Sequence, residues 1–69
     1  MKIAFFEISE LEKKVFEENL SQNELLFFDK TIQEIDISEF IDCEVLCVFV
    51  HSELKQKLLK NLTNLKLIC

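Results

Sequence analysis

The first twelve residues, MKIAFFEISELE, contain the pattern that decides the fold. Residues 3–6 are a short apolar run bounded by charge, which is typical of a strand buried on both faces. Ser9 and Glu12 follow with the spacing of a capping box, in which the Ser9 hydroxyl accepts the Glu12 N–H and the Glu12 carboxylate reaches back. The sequence therefore predicts a buried strand followed directly by a helix.

The same alternation continues to the end of the chain. Further apolar runs at residues 25–28, 45–50 and 65–69 predict three more strands. Strands that alternate with helices pair in parallel through right-handed crossovers. We therefore expect an α/β fold, namely a flavodoxin-like, three-layer α/β/α domain with four parallel strands in the order 2-1-3-4.

The helices between these strands are predicted from apolar residues at helical spacing. The buried stripe of the first helix is predicted to be Leu11, Val15, Phe16 and Leu20. Ser52 is the predicted N-cap of the last helix, whose buried face is predicted to be Leu54, Leu58, Leu59 and Leu62. In residues 31–41 the apolar residues do not keep a regular helical spacing, which predicts a loop with a short helix.

Composition excludes several classes of function. The 69 residues include 13 acidic and 8 basic side chains, all of the latter Lys, and the net charge of -5 argues against a nucleic-acid partner. Without Gly the chain has neither a P-loop nor a GxGxxG fingerprint, and without Arg it has no forked donor for a carboxylate or phosphate.

Location is inferred from the same composition. The N-terminal apolar run is too short for a signal peptide, and no run is long enough to span a bilayer. Three cysteines are an odd number without disulfide-framework spacing, so we expect reduced thiols and a cytoplasmic protein without membrane contact.

Cys43, Cys47 and His51 are the side chains with metal-ligating chemistry. They lie four residues apart on a predicted strand, which separates neighbours by about 13 Å. That distance is too long for one ion with bonds of about 2.1–2.3 Å. We therefore predict no metal site here.

His51 and Ser52 are the candidate binding residues. They follow the third strand directly, beside the switch point between the first and third strands, where open α/β sheets bind ligands. Glu7 lies on the opposite side of the same rim. The alternative is that Ser52 only caps a helix and that His51 is merely exposed. Glu7 and Glu10 are not predicted to act as a catalytic pair, because Glu10 complements the dipole of the helix.

The order of these segments resembles the start of the D-isomer-specific 2-hydroxyacid dehydrogenases, and the D-lactate dehydrogenase branch is the most similar. The segments that carry the resemblance are residues 2–7 (KIAFFE), 25–29 (LLFFD), 42–50 (DCEVLCVFV) and 64–68 (NLKLI). The resemblance implies that residues 1–69 are the N-terminal segment of a flavodoxin-like catalytic, substrate-binding domain, without the coenzyme-binding domain.

Such enzymes reduce 2-keto acids to D-2-hydroxy acids with NADH. The family's catalytic Arg, His and Glu lie beyond position 69, so the resemblance implies no catalytic, cofactor-binding or metal-binding residue in this chain. NAD is expected in the intact enzyme only, and the chain alone is expected to be inactive. The family's loop after the third strand lines the substrate cleft, which makes His51 and Ser52 substrate-cleft candidates.

Two other readings remain open at this point. The chain is alternatively a stand-alone flavodoxin-like binding or signalling module, although Glu7 and His51 do not supply the acids of a phosphorelay receiver. A further alternative is that the chain is a structural protein that docks onto a partner through residues 65–69, because an exposed apolar edge strand can pair with another chain or with a second copy.

Overall fold

The computed structural model describes residues 1–69, in which four strands form one parallel sheet in the order β2-β1-β3-β4. The elements in chain order are β1 (Lys2–Phe5), α1 (Glu10–Asn19), β2 (Glu24–Phe27), 3-10 turns at Ile32–Glu34 and Ile37–Glu39, β3 (Val45–Cys47), α2 (Gln56–Asn61) and β4 (Leu67–Ile68). The predicted fold class and strand order are confirmed.

The central position of β1 follows from its register. Ile3 pairs with Leu25 of β2 on one side and with Val45 of β3 on the other. Ala4 and Leu46 are fully buried in the two inner strands. Strands that are covered on both faces must be apolar throughout, and these two runs meet that condition.

Each face of the sheet has its own hydrophobic cluster, so the domain has three layers. One face packs against α2 and the 3-10 turns, with Ala4, Phe6, Ile32, Phe40, Cys43, Leu46 and Leu62 at its centre. The other face packs against α1, with Ile3, Phe5, Ile8 and Val45 at its centre. The predicted buried leucines of the last helix lie in the first of these clusters.

Aromatic rings fill much of both clusters. Phe6 is fully buried, with its ring stacked on Phe28 at 4.9 Å and edge-on to Phe40 at 4.9 Å between centroids. Phe5 stacks on Phe16 of α1 at 4.6 Å and on Phe27 of β2 at 5.1 Å. The rings therefore fix both helical layers to the first strand.

The capping box of α1 is present as predicted, because Glu12 N–H donates to the Ser9 hydroxyl and Ser9 N–H donates to the Glu12 carboxylate. The predicted buried stripe is only half right. Phe16 contacts the sheet, but Leu11 and Val15 are 74% and 49% exposed. At about 100° per residue they lie a quarter turn or more around the helix from Phe16.

Residues 31–41 contain two 3-10 turns rather than one short helix. Thr31 and Glu34 form a capping box, and the Asp36 carboxylate accepts the Ser38 N–H at 3.0 Å. These local bonds compete with a continuous helix. Ile32 and Phe40 are nonetheless buried, whereas Ile41 is 45% exposed. No helix in the structure is long and apolar enough to cross a membrane.

Candidate functional site at the carboxyl edge of the sheet

The loops that follow β1, β2 and β3 enclose an open cleft at the carboxyl edge of the sheet, which we call the C-edge cleft. Its volume is about 560 Å³, and its lining residues are Glu7, Asp29, Lys30, Thr31, Glu34, Phe49, Val50 and His51. Parallel strands of an open α/β sheet bring their carboxyl ends together at this edge, where ligands bind. His51 therefore lies where the sequence predicted.

Glu7 organises the cleft through its backbone. It is the only residue with a positive φ, 59°, in a chain that has no Gly. Its N–H donates to the carbonyl oxygen of Lys30 at 2.9 Å, which fixes the turn after β1 to the loop after β2. A residue other than Gly, Asn or Asp is uncommon in this region, so the surrounding contacts must hold it there.

The Glu7 carboxylate binds the loop after β3. Its Oε2 accepts the Phe49 N–H at 3.2 Å, and its Oε1 accepts the His51 N–H at 3.0 Å. The Ser52 hydroxyl lies close to this carboxylate and contributes to the lowering of its pKa. Glu7 therefore attaches a loop more than forty residues away to the end of the first strand.

These contacts also fix the charge of Glu7. Partial burial raises the pKa of its carboxyl, but the hydrogen bonds from Ser52, His51 and Phe49 outweigh it, so the pKa lies below its usual value. A carboxylate that already accepts several hydrogen bonds is a poor proton carrier near neutral pH. Glu7 thus holds the loop in place, and it does not have the chemistry of a general acid or base.

Three more hydrogen bonds fix the loop to the first 3-10 turn. The Ser52 hydroxyl accepts the Ile32 N–H at 3.0 Å. The Gln33 side-chain amide donates to the His51 carbonyl at 2.8 Å and accepts the Glu53 N–H at 3.0 Å. The roles of Glu7 and Gln33 cannot be predicted from the sequence, because a single Glu or Gln without a local motif carries no signal for a distant loop.

The prediction that Ser52 is an N-cap is wrong. Helix α2 begins at Gln56, and its N-cap residue, Lys55, makes no side-chain capping bond. The Ser52 hydroxyl instead accepts the N–H of Ile32. The helix starts later because residues 49–53 are bound to other parts of the chain.

The third strand also ends earlier than predicted, at Cys47 rather than at residue 50. Phe6 N–H still donates to the Cys47 carbonyl at 2.9 Å, but the chain of β1 then turns away at Glu7. Residues beyond 47 lose their neighbour on that side, and their amides bind the Glu7 carboxylate instead. Val50 is 91% exposed as a result.

The three potential metal ligands do not come together. Cys43 is fully buried in the cluster under α2, whereas Cys47 packs against the cluster under α1. His51 is exposed at the C-edge cleft. No group of three His, Cys, Asp or Glu side chains has the arrangement of a metal site.

The C-edge cleft is acidic. Glu7, Asp29 and Glu34 line it, against one Lys and one His. The Thr31 hydroxyl donates to the Glu34 carboxylate at 2.7 Å, and this bond and the Thr31 N–H lower the pKa of Glu34. An anionic ligand bound here would need a cation from outside these 69 residues.

The turn after β1 does not fit a dinucleotide coenzyme. A phosphate-binding turn at this place needs Gly residues, so that the backbone approaches the pyrophosphate closely. The chain supplies Glu7 there instead, whose ionised side chain would repel phosphate. The residues present therefore carry no coenzyme site.

No family model matches the chain, and no curated protein is significantly similar to it in sequence. Solved structures are similar. The D-lactate dehydrogenase from Aquifex aeolicus, in complex with NAD and lactic acid, matches 96% of the chain with a TM-score of 0.87 and 24% identity. The D-lactate dehydrogenase of Salmonella matches 99% with a TM-score of 0.78 and 28% identity.

The apo-structure of Escherichia coli D-lactate dehydrogenase matches 99% of the chain with a TM-score of 0.79 and 30% identity. The chain spans only 20–23% of the length of these three dehydrogenases. The resemblance to D-lactate dehydrogenases that the sequence indicates is therefore confirmed, and it extends over about a fifth of the length of each of these enzymes.

Proposed function

We propose that residues 1–69 form the N-terminal part of the substrate-binding domain of a cytoplasmic, NAD-dependent D-2-hydroxyacid dehydrogenase of the D-lactate dehydrogenase type. The observation that carries the proposal is the match of nearly the whole chain to three D-lactate dehydrogenases. The C-edge cleft is then one wall of the site for a 2-keto acid and its D-2-hydroxy acid product.

The role of these residues is to shape the site. The cleft has no Arg, its acids outnumber its cations, and Glu7 is occupied by hydrogen bonds. The cation that holds the substrate carboxylate, the proton carrier and the coenzyme site must come from the rest of the enzyme. When bound there, NADH would supply the hydride that reduces the 2-keto acid, and NAD+ would accept it in the reverse reaction.

His51 is the residue of this chain proposed to border the substrate, and Ser52, which does not line the C-edge cleft, is proposed to position the loop that carries His51. Glu7 and Gln33 fix the backbone on both sides of His51, so the imidazole extends from a rigid loop into the cleft. The Val50 N–H has no acceptor within the chain and is the backbone donor of the loop that remains available to a ligand. Ser52 acts through the loop rather than from the cleft wall.

Kinetics of the intact dehydrogenase test this role. Loss of one hydrogen bond to substrate costs about 0.5–1.5 kcal/mol, so His51→Ala should raise KM for the 2-keto acid about 2- to 10-fold. Ser52→Ala should also raise KM for the 2-keto acid or change the preference among 2-keto acids. Ser21→Ala is the matched control, because Ser21 is exposed in the turn before β2, at the opposite edge. Unchanged kinetics in both variants would remove these residues from the substrate site.

A second experiment tests whether the coenzyme site lies outside these 69 residues. The 69-residue chain titrated with NADH should give no saturable fluorescence change at micromolar concentration and should not oxidise NADH in the presence of pyruvate. Saturable micromolar binding would show that the coenzyme site has been assigned to the wrong part of the enzyme.

A further inference from the structure

Cys47 and Cys69 are directly paired across two neighbouring strands. The Cys69 N–H donates to the Leu46 carbonyl at 2.8 Å, and the Val48 N–H donates to the Cys69 carbonyl at 3.2 Å. In a parallel ladder this pattern places Cys69 opposite the residue between the two partners, which is Cys47. The register of the preceding pair, Leu46 with Ile68, agrees.

The two thiols lie on the same face of the sheet. Both line an apolar groove of about 400 Å³ together with Phe5, Val48 and Phe49. Cys69 is exposed and Cys47 is half-buried. The third cysteine, Cys43, is fully buried in the cluster on the other face and cannot reach either of them.

We propose that Cys47 and Cys69 form a reversible thiol–disulfide site that a low-molecular-weight disulfide of the glutathione type closes. Neighbouring strands lie about 4.8 Å apart, within the Cα separation of about 4.4–6.8 Å found in disulfides. The strand spacing of about 4.8 Å is wider than the Cβ separation of about 3.8 Å in a relaxed disulfide. A disulfide formed here is therefore of the strained, easily reduced kind.

The exposed thiol reacts first. The Cys69 thiolate attacks one sulfur of the oxidant, the oxidant's S–S bond breaks, and one small thiol leaves. The Cys47 thiolate then attacks the Cys69 sulfur and displaces the second small thiol. In sum two protein S–H bonds are lost, one S–S bond forms, and the oxidant takes up two electrons and two protons as two small thiols.

The environment of Cys47 makes the second step slow. Burial, followed by the charge of Cys69 and their shared hydrogen bond, raises the pKa of Cys47 to about 11. The contributions from Cys69 disappear once that sulfur is in a mixed disulfide, and the burial remains. Closure should therefore accelerate as the pH rises from neutral.

The site lies outside the C-edge cleft, but it directly precedes the cleft loop in the chain. Cys47 is the last residue of β3, and the loop bound by Glu7 begins at the next residue. A disulfide would link this loop to β4. The pairing itself depends only on the β3–β4 register and not on the dehydrogenase function.

Oxidised glutathione and peptide mapping test the proposal. The protein is incubated with oxidised glutathione, its remaining thiols are alkylated in denaturant, and the peptides are mapped by mass spectrometry. We expect a species lighter by two hydrogens, with Cys47 and Cys69 in one linked pair and Cys43 alkylated. A small dithiol should restore three alkylatable thiols.

Variants identify the order of attack. Cys47→Ala should stop at one glutathionyl group on Cys69, Cys69→Ala should leave Cys47 largely unmodified, and Cys43→Ala should still close the pair. The proposal is overturned if the wild type stops at the mixed disulfide, if the link joins two chains, or if Cys43 takes part. The wild-type map alone decides the question if a variant fails to fold.

Discussion

Replacing Phe40 by Leu tests whether the aromatic cluster holds the 3-10 turns against the sheet. Phe40 is fully buried, edge-on to Phe6 at 4.9 Å and to Phe28 at 6.3 Å. Leu keeps most of the apolar volume but loses both ring contacts. Each such contact contributes about 0.5–1.5 kcal/mol, so we expect a loss of about 1–3 kcal/mol in the free energy of unfolding.

That loss is large for this chain. At about 0.05–0.15 kcal/mol per residue, 69 residues give a total stability of about 3–10 kcal/mol. Urea denaturation followed by far-UV circular dichroism measures the change, because the chain has no Trp or Tyr for intrinsic fluorescence. The slope of the free energy of unfolding against urea concentration should stay constant, while the urea concentration at the midpoint of unfolding should fall.

Phe49→Leu is the matched control. Phe49 is 45% exposed and has no aromatic partner. The same substitution there should change the free energy of unfolding by no more than about 0.5 kcal/mol. Equal losses in the two variants would refute the assignment of the stability to ring contacts around Phe40.

Two further predictions concern the cleft loop and the sheet edge. Because the pKa of Glu7 is lowered in the folded chain, its stabilising effect is complete above its usual value of 4.5 and is lost as the pH falls through the lower value. The protection factor of the His51 amide, which is its intrinsic exchange rate at each pH divided by the measured rate, should therefore fall in acid, whereas in Glu7→Gln it should be low and should not change with pH. A wild-type protection factor that does not fall in acid would contradict this. At the sheet edge, Leu67 and Ile68 are 55% and 42% exposed on β4. We therefore expect the chain to self-associate in sedimentation experiments, and we expect Leu67→Lys to weaken that association. A chain that is monomeric at all concentrations would contradict this prediction.

The strand order and the first helix could be predicted because their signals are local. Residues 3–6 are apolar without interruption, and Ser9 and Glu12 carry the capping box within one turn. Patterns of this kind need no knowledge of distant residues. The parallel order then follows from the alternation of strands and helices.

The errors occur where a distant contact overrides a local preference. Ser52 has the chemistry of an N-cap, but its hydroxyl is bound to Ile32, twenty residues away. Residues 48–50 have the composition of a strand, but the turn at Glu7 leaves them without a neighbour on the β1 side. His51 was located correctly because the ends of parallel strands lie at one edge, and Glu7 was not recognised as the residue that fixes it.

The parallel arrangement of the sheet has a consequence for the time course of folding. β1 reaches β2 after about twenty intervening residues and β3 after about forty, so no strand pair closes through a short hairpin. Loop closure over such distances slows the search for the native topology. Because Phe49 and His51 bind Glu7 across the longest of these separations, we expect the cleft loop to become ordered only after the central strands have met. With no Pro in the chain, that ordering involves no slow prolyl isomerisation, and refolding should occur in a single phase.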